Sequence, residues 1–117
     1  MPYLVILQRL VQAVKGSLSA LLLDPQGEVV VEAGRKDEQS RLIGAYQGIG
    51  LASVKRSAER YEVGTIRQVL CRYAEGSVIL RPLKDGYYLV FSLSPDASVA
   101  AGVHHSARAQ ESLNAEI

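Results

Sequence analysis

Apolar positions in the first fifteen residues recur three and four apart. Leu4, Leu7, Val11 and Val14 follow that spacing, with Ile6 and Leu10 beside them and Gln8, Arg9, Gln12 and Lys15 opposite, which predicts an amphipathic helix closed by Gly16. The pattern then changes. Leu18 to Leu23 is too apolar for a strand with one wet face and reads as a central strand covered on both sides, so helices are expected on both faces of a sheet. Asp24-Pro25-Gln26-Gly27 has the chemistry of a type I turn, because proline presets φ at the second position and glycine suits the residue after the turn. Glu28 to Ala33, centred on Val29-Val30-Val31, returns as the second strand of a hairpin.

From Asp37 to Gly64 the period is helical again. Asp37 can cap the first turn, Glu38 favours the positive end of the helix dipole, and Gly64 can supply a left-handed stop. At about 100° per residue, Leu42, Ile43, Tyr46, Ile49, Val54 and Tyr61 fall on one arc, expected to lie on the core. The opposite arc holds Arg41, Gly44, Ala45, Gly48, Ala52, Lys55, Arg56 and Glu59, a strip of very small residues with charges at its ends. Glycine inside a helix costs roughly 0.5–1 kcal/mol relative to alanine. Close approach by another helix or by a partner protein would justify that cost; the alternative is that the glycines are simply tolerated, or face the sheet and let the helix sit low.

Ile66 to Tyr73 mixes Ile66, Val69, Leu70 and Cys71 with Arg67, Gln68 and Arg72, as an edge strand does. Glu75-Gly76 turns the chain into Val78 to Leu83, and Lys84-Asp85-Gly86 makes a tight hairpin into Tyr87 to Leu93, an almost wholly apolar strand expected beside the first. Ser94-Pro95-Asp96 combines a capping side chain with proline at a first helical position, and so is expected to open a final helix carrying Val99, Val103, Ala107 and Leu113. The predicted order is helix, two strands, helix, three strands, helix.

Composition narrows the functional classes. A chain of 117 residues, 48% of them hydrophobic, is expected to form one domain over residues 1–117. Thirteen Lys and Arg against twelve Asp and Glu leave a net charge of +1, which is not the footprint of a dedicated nucleic-acid binder. The single cysteine, Cys71, allows no internal disulfide and fits a reducing, cytoplasmic setting. Leu4 to Leu7 is interrupted by Gln8 and Arg9, so neither a signal peptide nor membrane insertion is expected.

Candidate chemistry is sparse. There is no phosphate-binding Gly-x-x-x-x-Gly-Lys-Ser/Thr loop, and Gly48-Ile49-Gly50 lies inside a predicted helix rather than between a strand and a helix N-terminus. His104 and His105 are adjacent on a helix and point about 100° apart, unlike an i, i+4 metal pair, so no metal is expected. Cys71 has no histidine nearby in sequence and reads as a small half-buried hydrophobe. Asp24, Asp85 and Asp96 fall at turns or caps. No catalytic constellation and no cofactor site are expected, which makes a binding protein the preferred reading over an enzyme.

The opening hairpin SALLLDPQGEVVVEAG, the small-residue central helix and the closing stretch EGSVILRPLKDGYYLVFSLSPDASVAAGV together resemble the roadblock family, named for a dynein light chain and including bacterial regulators of Ras-like GTPases. The resemblance spans Leu4 to Leu113 and rests on the ordered set, because the family has no invariant catalytic signature. It implies an α+β, profilin/longin-like fold: a five-stranded antiparallel sheet with the central helix on one face and the two terminal helices on the other. It also implies a homodimer in which the strand after the central helix pairs with its twin and the central helices lie side by side. The interface would then use Gly44, Ala45, Gly48 and Ala52 with Ile66, Gln68, Val69, Leu70 and Cys71. In family members that act on a small Ras-like GTPase, the paired central helices form the docking platform; Arg41, Lys55, Arg56, Glu59 and Arg60 are the charges expected to meet it, unless they are merely a solvated helix surface. Two other classes fit the element order: a PAS- or GAF-like small-molecule sensor, which needs a ligand cavity, and a structural scaffold with no effect on nucleotide hydrolysis.

Overall fold

Each strand of the sheet interior sends apolar side chains to both faces, and this fixes the layering. The computed structural model describes residues 2–35 and 50–117. Along it run α1 (Pro2–Ala13), β1 (Ser17–Leu23), β2 (Val29–Gly34), a helix at residues 50–60 that we label α2, β3 (Val69–Tyr73), β4 (Gly76–Pro82), β5 (Tyr88–Leu93) and α3 (Val99–Glu116). The five strands form one antiparallel sheet in the order β2-β1-β5-β4-β3, so β5 sits at the centre beside β1, as its composition predicts.

Side chains alternate between two buried clusters. Ala20, Leu22, Ile79, Leu89, Phe91 and Leu93 point to one face, where Leu7, Leu10 and Val14 at α1 and Ala109 and Leu113 of α3 cover them. Leu21, Leu23, Val78, Leu80, Tyr88 and Val90 point to the other, where Leu51 of α2 joins them. One helix on one face and two on the other is the α+β arrangement expected from the sequence. At about 1.5–3 kcal/mol for each fully buried Leu or Phe, these two layers dominate the stability.

Local chemistry explains most boundaries. Asp24 accepts backbone N–H groups from Gln26 and Glu28 at 2.9 Å through Oδ1 while its carbonyl accepts Gly27 N–H, closing the first hairpin. Lys84–Gly86 forms a short 3-10 turn with Asp85 and Gly86 at positive φ, joining β4 to β5. The end of α2 is a Schellman arrangement: Val63 N–H donates to Ala58 O, Glu62 N–H donates to Glu59 O, and Glu62 takes the left-handed position at φ 54°. Gly64, at φ 96°, lies just beyond this stop.

Three sequence expectations need correction. Val54 and Tyr61, placed on the core-facing arc of α2, are 43% and 69% exposed, whereas Leu51 is buried with Lys55 and Ala58 half-buried on its side. Along residues 50–60 the inward arc, at spacings of four and three, carries only one large hydrophobe, so hydrophobicity alone misplaced Val54 and Tyr61; Leu42, Ile43, Tyr46 and Ile49, the rest of the expected arc, and the expected cap at Asp37 lie outside the described residues. The final helix starts at Val99 behind an N-cap at Ser98, whose Oγ accepts Ala101 N–H at 3.1 Å; Ser94 instead accepts Ala97 N–H in a turn. Its buried side is Gly102, Ser106, Ala109 and Leu113 rather than the valine series. A Cβ on Gly102 would stand 2.7 Å from Leu93 Cδ1 and 3.1 Å from Ile79 Cδ1, so small residues bring α3 close to the sheet. Finally, β3 begins at Val69, three residues later than expected, because Arg67 and Gln68 are held by side-chain bonds described below.

Candidate functional site

The sheet has two outer strands, and β3 is the one flanked by the residues singled out from sequence. Among the described residues it pairs with β4 on one side only, with Val69 opposite Leu80, Leu70 opposite Ile79 and Cys71 opposite Val78. Alternation therefore turns Val69 and Cys71 toward the α2 face, where both pack half-buried against the cluster containing Leu51. Leu70 points to the opposite face and is 39% exposed. Ile66 is half-buried and Gln68 exposed on the segment leading into β3. Tyr73, at the end of the strand, is 55% exposed, and sequence reasoning did not include it among the site residues. The signal was available: an aromatic residue beside charges on a strand already identified as an edge.

On α2, Ala52, Arg56, Glu59 and Arg60 are exposed while Lys55 is half-buried. Arg60 lies over the Tyr61 ring, 5.5 Å from its centroid. Lys55, Glu59 and Ile66 line one open cleft of about 450 Å³ together with Ala58 and Thr65, so the end of α2 and the approach to β3 form a continuous surface. Arg41, Gly44, Ala45 and Gly48 lie outside the described residues.

Beneath the approach to β3 is a buried arginine that sequence reasoning also missed. Arg81, on β4, is 4% exposed and, among the described residues, bonded only to neutral acceptors. Its Nε donates to Ser106 Oγ at 2.8 Å, and one terminal nitrogen donates to Gln68 Oε1 at 2.7 Å and Val103 O at 2.8 Å. The other donates to Gln110 Oε1 at 3.2 Å and Arg67 O at 3.4 Å. Gln110 Nε2 in turn donates to Pro82 O at 2.7 Å and Arg67 O at 3.3 Å. Burial pushes the guanidinium below its ordinary pKa. An arginine inside the apolar run VILRPL is a sequence signal of such a site, since a buried charge must find its hydrogen-bond partners.

Among the described residues no group of three or more His, Cys, Asp or Glu is placed to hold a metal ion, and no helix is long and apolar enough to cross a membrane. His104 and His105 stand edge to face, 4.9 Å between ring centroids.

Element order, strand order and helix placement define an α+β domain of the profilin- and longin-like class. Within that class, the fold is that of roadblock/LC7 domains. A roadblock/LC7 domain from Streptomyces avermitilis superposes with a TM-score of 0.82 at 24% identity, over 97% of this chain and 95% of the other. MglB from Myxococcus xanthus gives 0.85 at 14% identity, over 96% and 91% of the two chains. The gliding protein MglB from Thermus thermophilus gives 0.86 at 16% identity, over 97% and 86%. No protein-family model matches the sequence, and no curated protein matches it significantly. The sequence resemblance is thus borne out at the level of the fold.

Proposed function

We propose that this chain is a non-catalytic, cytoplasmic regulator or adaptor of a small Ras-like GTPase that acts as a homodimer. The observation that carries the reading is the one-sided pairing of β3 beside the exposed face of α2, in a fold shared with MglB. An outer strand that joins its sheet along one side among the described residues is a template for a second strand, and Leu70 and Tyr73 offer it apolar contact. Joining two copies through Ile66, Gln68, Val69, Leu70 and Cys71 would set the two α2 helices side by side, with Gly44, Ala45, Gly48 and Ala52 between them. Arg41, Lys55, Arg56, Glu59 and Arg60 would then rim a shared docking platform for the GTPase. Leu51, 6% exposed, packs α2 directly onto the sheet, which favours this reading over a sensor that keeps a ligand cavity there.

The experiment is to mix the purified protein with the small GTPase encoded nearest to it, loaded with GDP or with a non-hydrolysable GTP analogue, and to follow mass by analytical ultracentrifugation. A complex of two copies of this chain with the GTPase in one nucleotide state is expected, and a faster or slower hydrolysis rate would give the direction of regulation. A monomer at every concentration, or no association in either nucleotide state, would overturn the proposal; equal association in both states would leave a scaffold.

A further inference from the structure

On the face of the sheet opposite α2, α1 and α3 lie against each other and leave a groove of about 320 Å³ between them. Its floor is apolar, with Leu10 and Ala109 buried and Ile6 half-buried. Its walls are cationic: Arg9 from α1 and Arg108 from α3 are both exposed, and His105 is half-buried beside them. No acidic side chain lines the groove among the described residues. Arg9 is the only charged residue of α1, so that helix brings no carboxylate to neutralise the walls. Of the acids on α3, neither Glu111 nor Glu116 is part of this lining; Glu116 belongs to the adjoining cleft, which shares Ile6, Arg9 and Ser112 with the groove and lies toward the end where the Glu116 carbonyl accepts the Tyr3 hydroxyl.

The contrast with Arg81 is informative. Arg81 uses its donors on acceptors of its own chain, whereas no hydrogen bond or ion pair engages Arg9 or Arg108 among the described residues. Two guanidinium groups lining one apolar floor, neither engaged among the described residues, in a chain of net charge only +1, are complementary to an apolar group flanked by carboxylates. We propose that this groove docks an acidic amphipathic segment of a partner protein, with a leucine-sized side chain over Leu10 and Ala109 and carboxylates on Arg9 and Arg108. The concavity favours a peptide over a flat membrane surface. Because the groove lies on the other side of the sheet from α2 and away from β3, its occupant leaves the surface assigned to the GTPase free, and the domain becomes a bridge between two partners.

The test uses the full chain and a fluorescein-labelled synthetic peptide with Glu and Leu at helical spacing, titrated by anisotropy. Saturable binding is expected, weakened about tenfold or more when every Glu is replaced by Gln, and weakened similarly at about 0.5 M salt. Arg9→Glu with Arg108→Glu should abolish binding, and Arg9→Ala with Arg108→Ala should weaken it severalfold; both positions are exposed, and an unchanged melting temperature verifies that the variants fold. Amide shifts on peptide addition should centre on Ala13 and Ser112. Equal affinity for the Gln peptide, unchanged binding by the charge-reversed variant, or shifts centred on β3 would overturn the proposal. So would capture of the chain by phosphatidylserine vesicles without any peptide binding, which would assign the cationic face to a lipid surface.

Discussion

Replacing Arg81 by methionine separates two effects that oppose each other. The guanidinium makes three bonds of 2.7–2.8 Å, to Gln68, Ser106 and Val103, and two longer ones to Gln110 and Arg67. Bonds to a charged donor contribute about 1.5–3 kcal/mol each, so the three short ones together are worth roughly 4.5–9 kcal/mol if they add independently. Against them stands the cost of holding an uncompensated cation at 4% exposure, several kcal/mol after relaxation. Methionine keeps most of the volume and removes both. Gln68 is exposed and can turn to water, Gln110 keeps its bond to Pro82 O, and Ser106 Oγ keeps Val103 O at 3.2 Å, so few groups are left unpaired. We expect Arg81→Met to cost about 2 kcal/mol, and Arg81→Ala, which adds a cavity, about 3–5 kcal/mol.

Urea unfolding with linear extrapolation, at several protein concentrations to separate folding from association, measures both values. A second readout is local. Gln68 is tied to β4 and α3 through this one side chain, and Arg67 through it and through Gln110 Nε2, so amide exchange at Val69 and Leu70 should accelerate in Arg81→Met more than exchange in β5 does. If Arg81→Met were as stable as the parent within about 0.5 kcal/mol and exchange at β3 were unchanged, the network would merely break even with its own desolvation, and the reasoning would fail.

Leu51→Ala should destabilise by about 2–4 kcal/mol in the same assay, because Leu51 is the buried contact of α2 with its sheet face among the described residues. Gly102→Ala should cost about 1–2 kcal/mol despite the better helix former, since the new methyl meets Leu93 and Ile79 at 2.7 and 3.1 Å; a gain in stability would show that those side chains yield freely. Tyr88 gives a pH signature: burial first, and then the Asp24 carboxylate, raise its pKa above the ordinary 10.0. Its neutral phenol therefore contributes fully below about pH 10, where the unfolded tyrosine is also protonated, and that contribution is lost as pH climbs through the raised folded value. Tyr88→Phe should flatten the alkaline loss of stability seen by circular dichroism above that pH; an unchanged alkaline slope would refute the assignment.

Where composition alone determined the environment, the fold was legible. Leu18 to Leu23 and Tyr87 to Leu93 are too apolar to have a wet face, and they are the neighbours β1 and β5 in the doubly covered interior. Asp24-Pro25 and Lys84-Asp85-Gly86 carry turn chemistry that does not depend on distant partners. Legibility failed where tertiary geometry reversed the usual preferences. In α3 the sheet takes Gly102, Ser106 and Ala109 because close approach needs small groups and Arg81 needs a hydroxyl; Val103, named instead, is half-buried. In α2 the inward residues are Leu51, Lys55 and Ala58, of which only one is apolar and large. At the candidate interface the sequence marked β3 as an edge from its mixed polarity but did not reveal Tyr73, nor the charge that holds the approach to the strand in place.

That charge connects the two halves of the molecule. The central strands are fixed by apolar burial on both faces and need no polar device, whereas β3 buries side chains mainly toward α2 and leaves Leu70 exposed on the other face. Apolar packing alone therefore holds β3 loosely on the α3 side. Arg81 supplies the missing tie there by joining Gln68 and Arg67 to Ser106, Gln110 and Val103 of α3. An edge strand offered to a partner must be rigid before the partner arrives, because ordering it on binding would subtract from the affinity. A hydrogen-bonded arginine suits that role because its planar fork is directional. It specifies where the approach to β3 lies, which a methionine of similar volume would not.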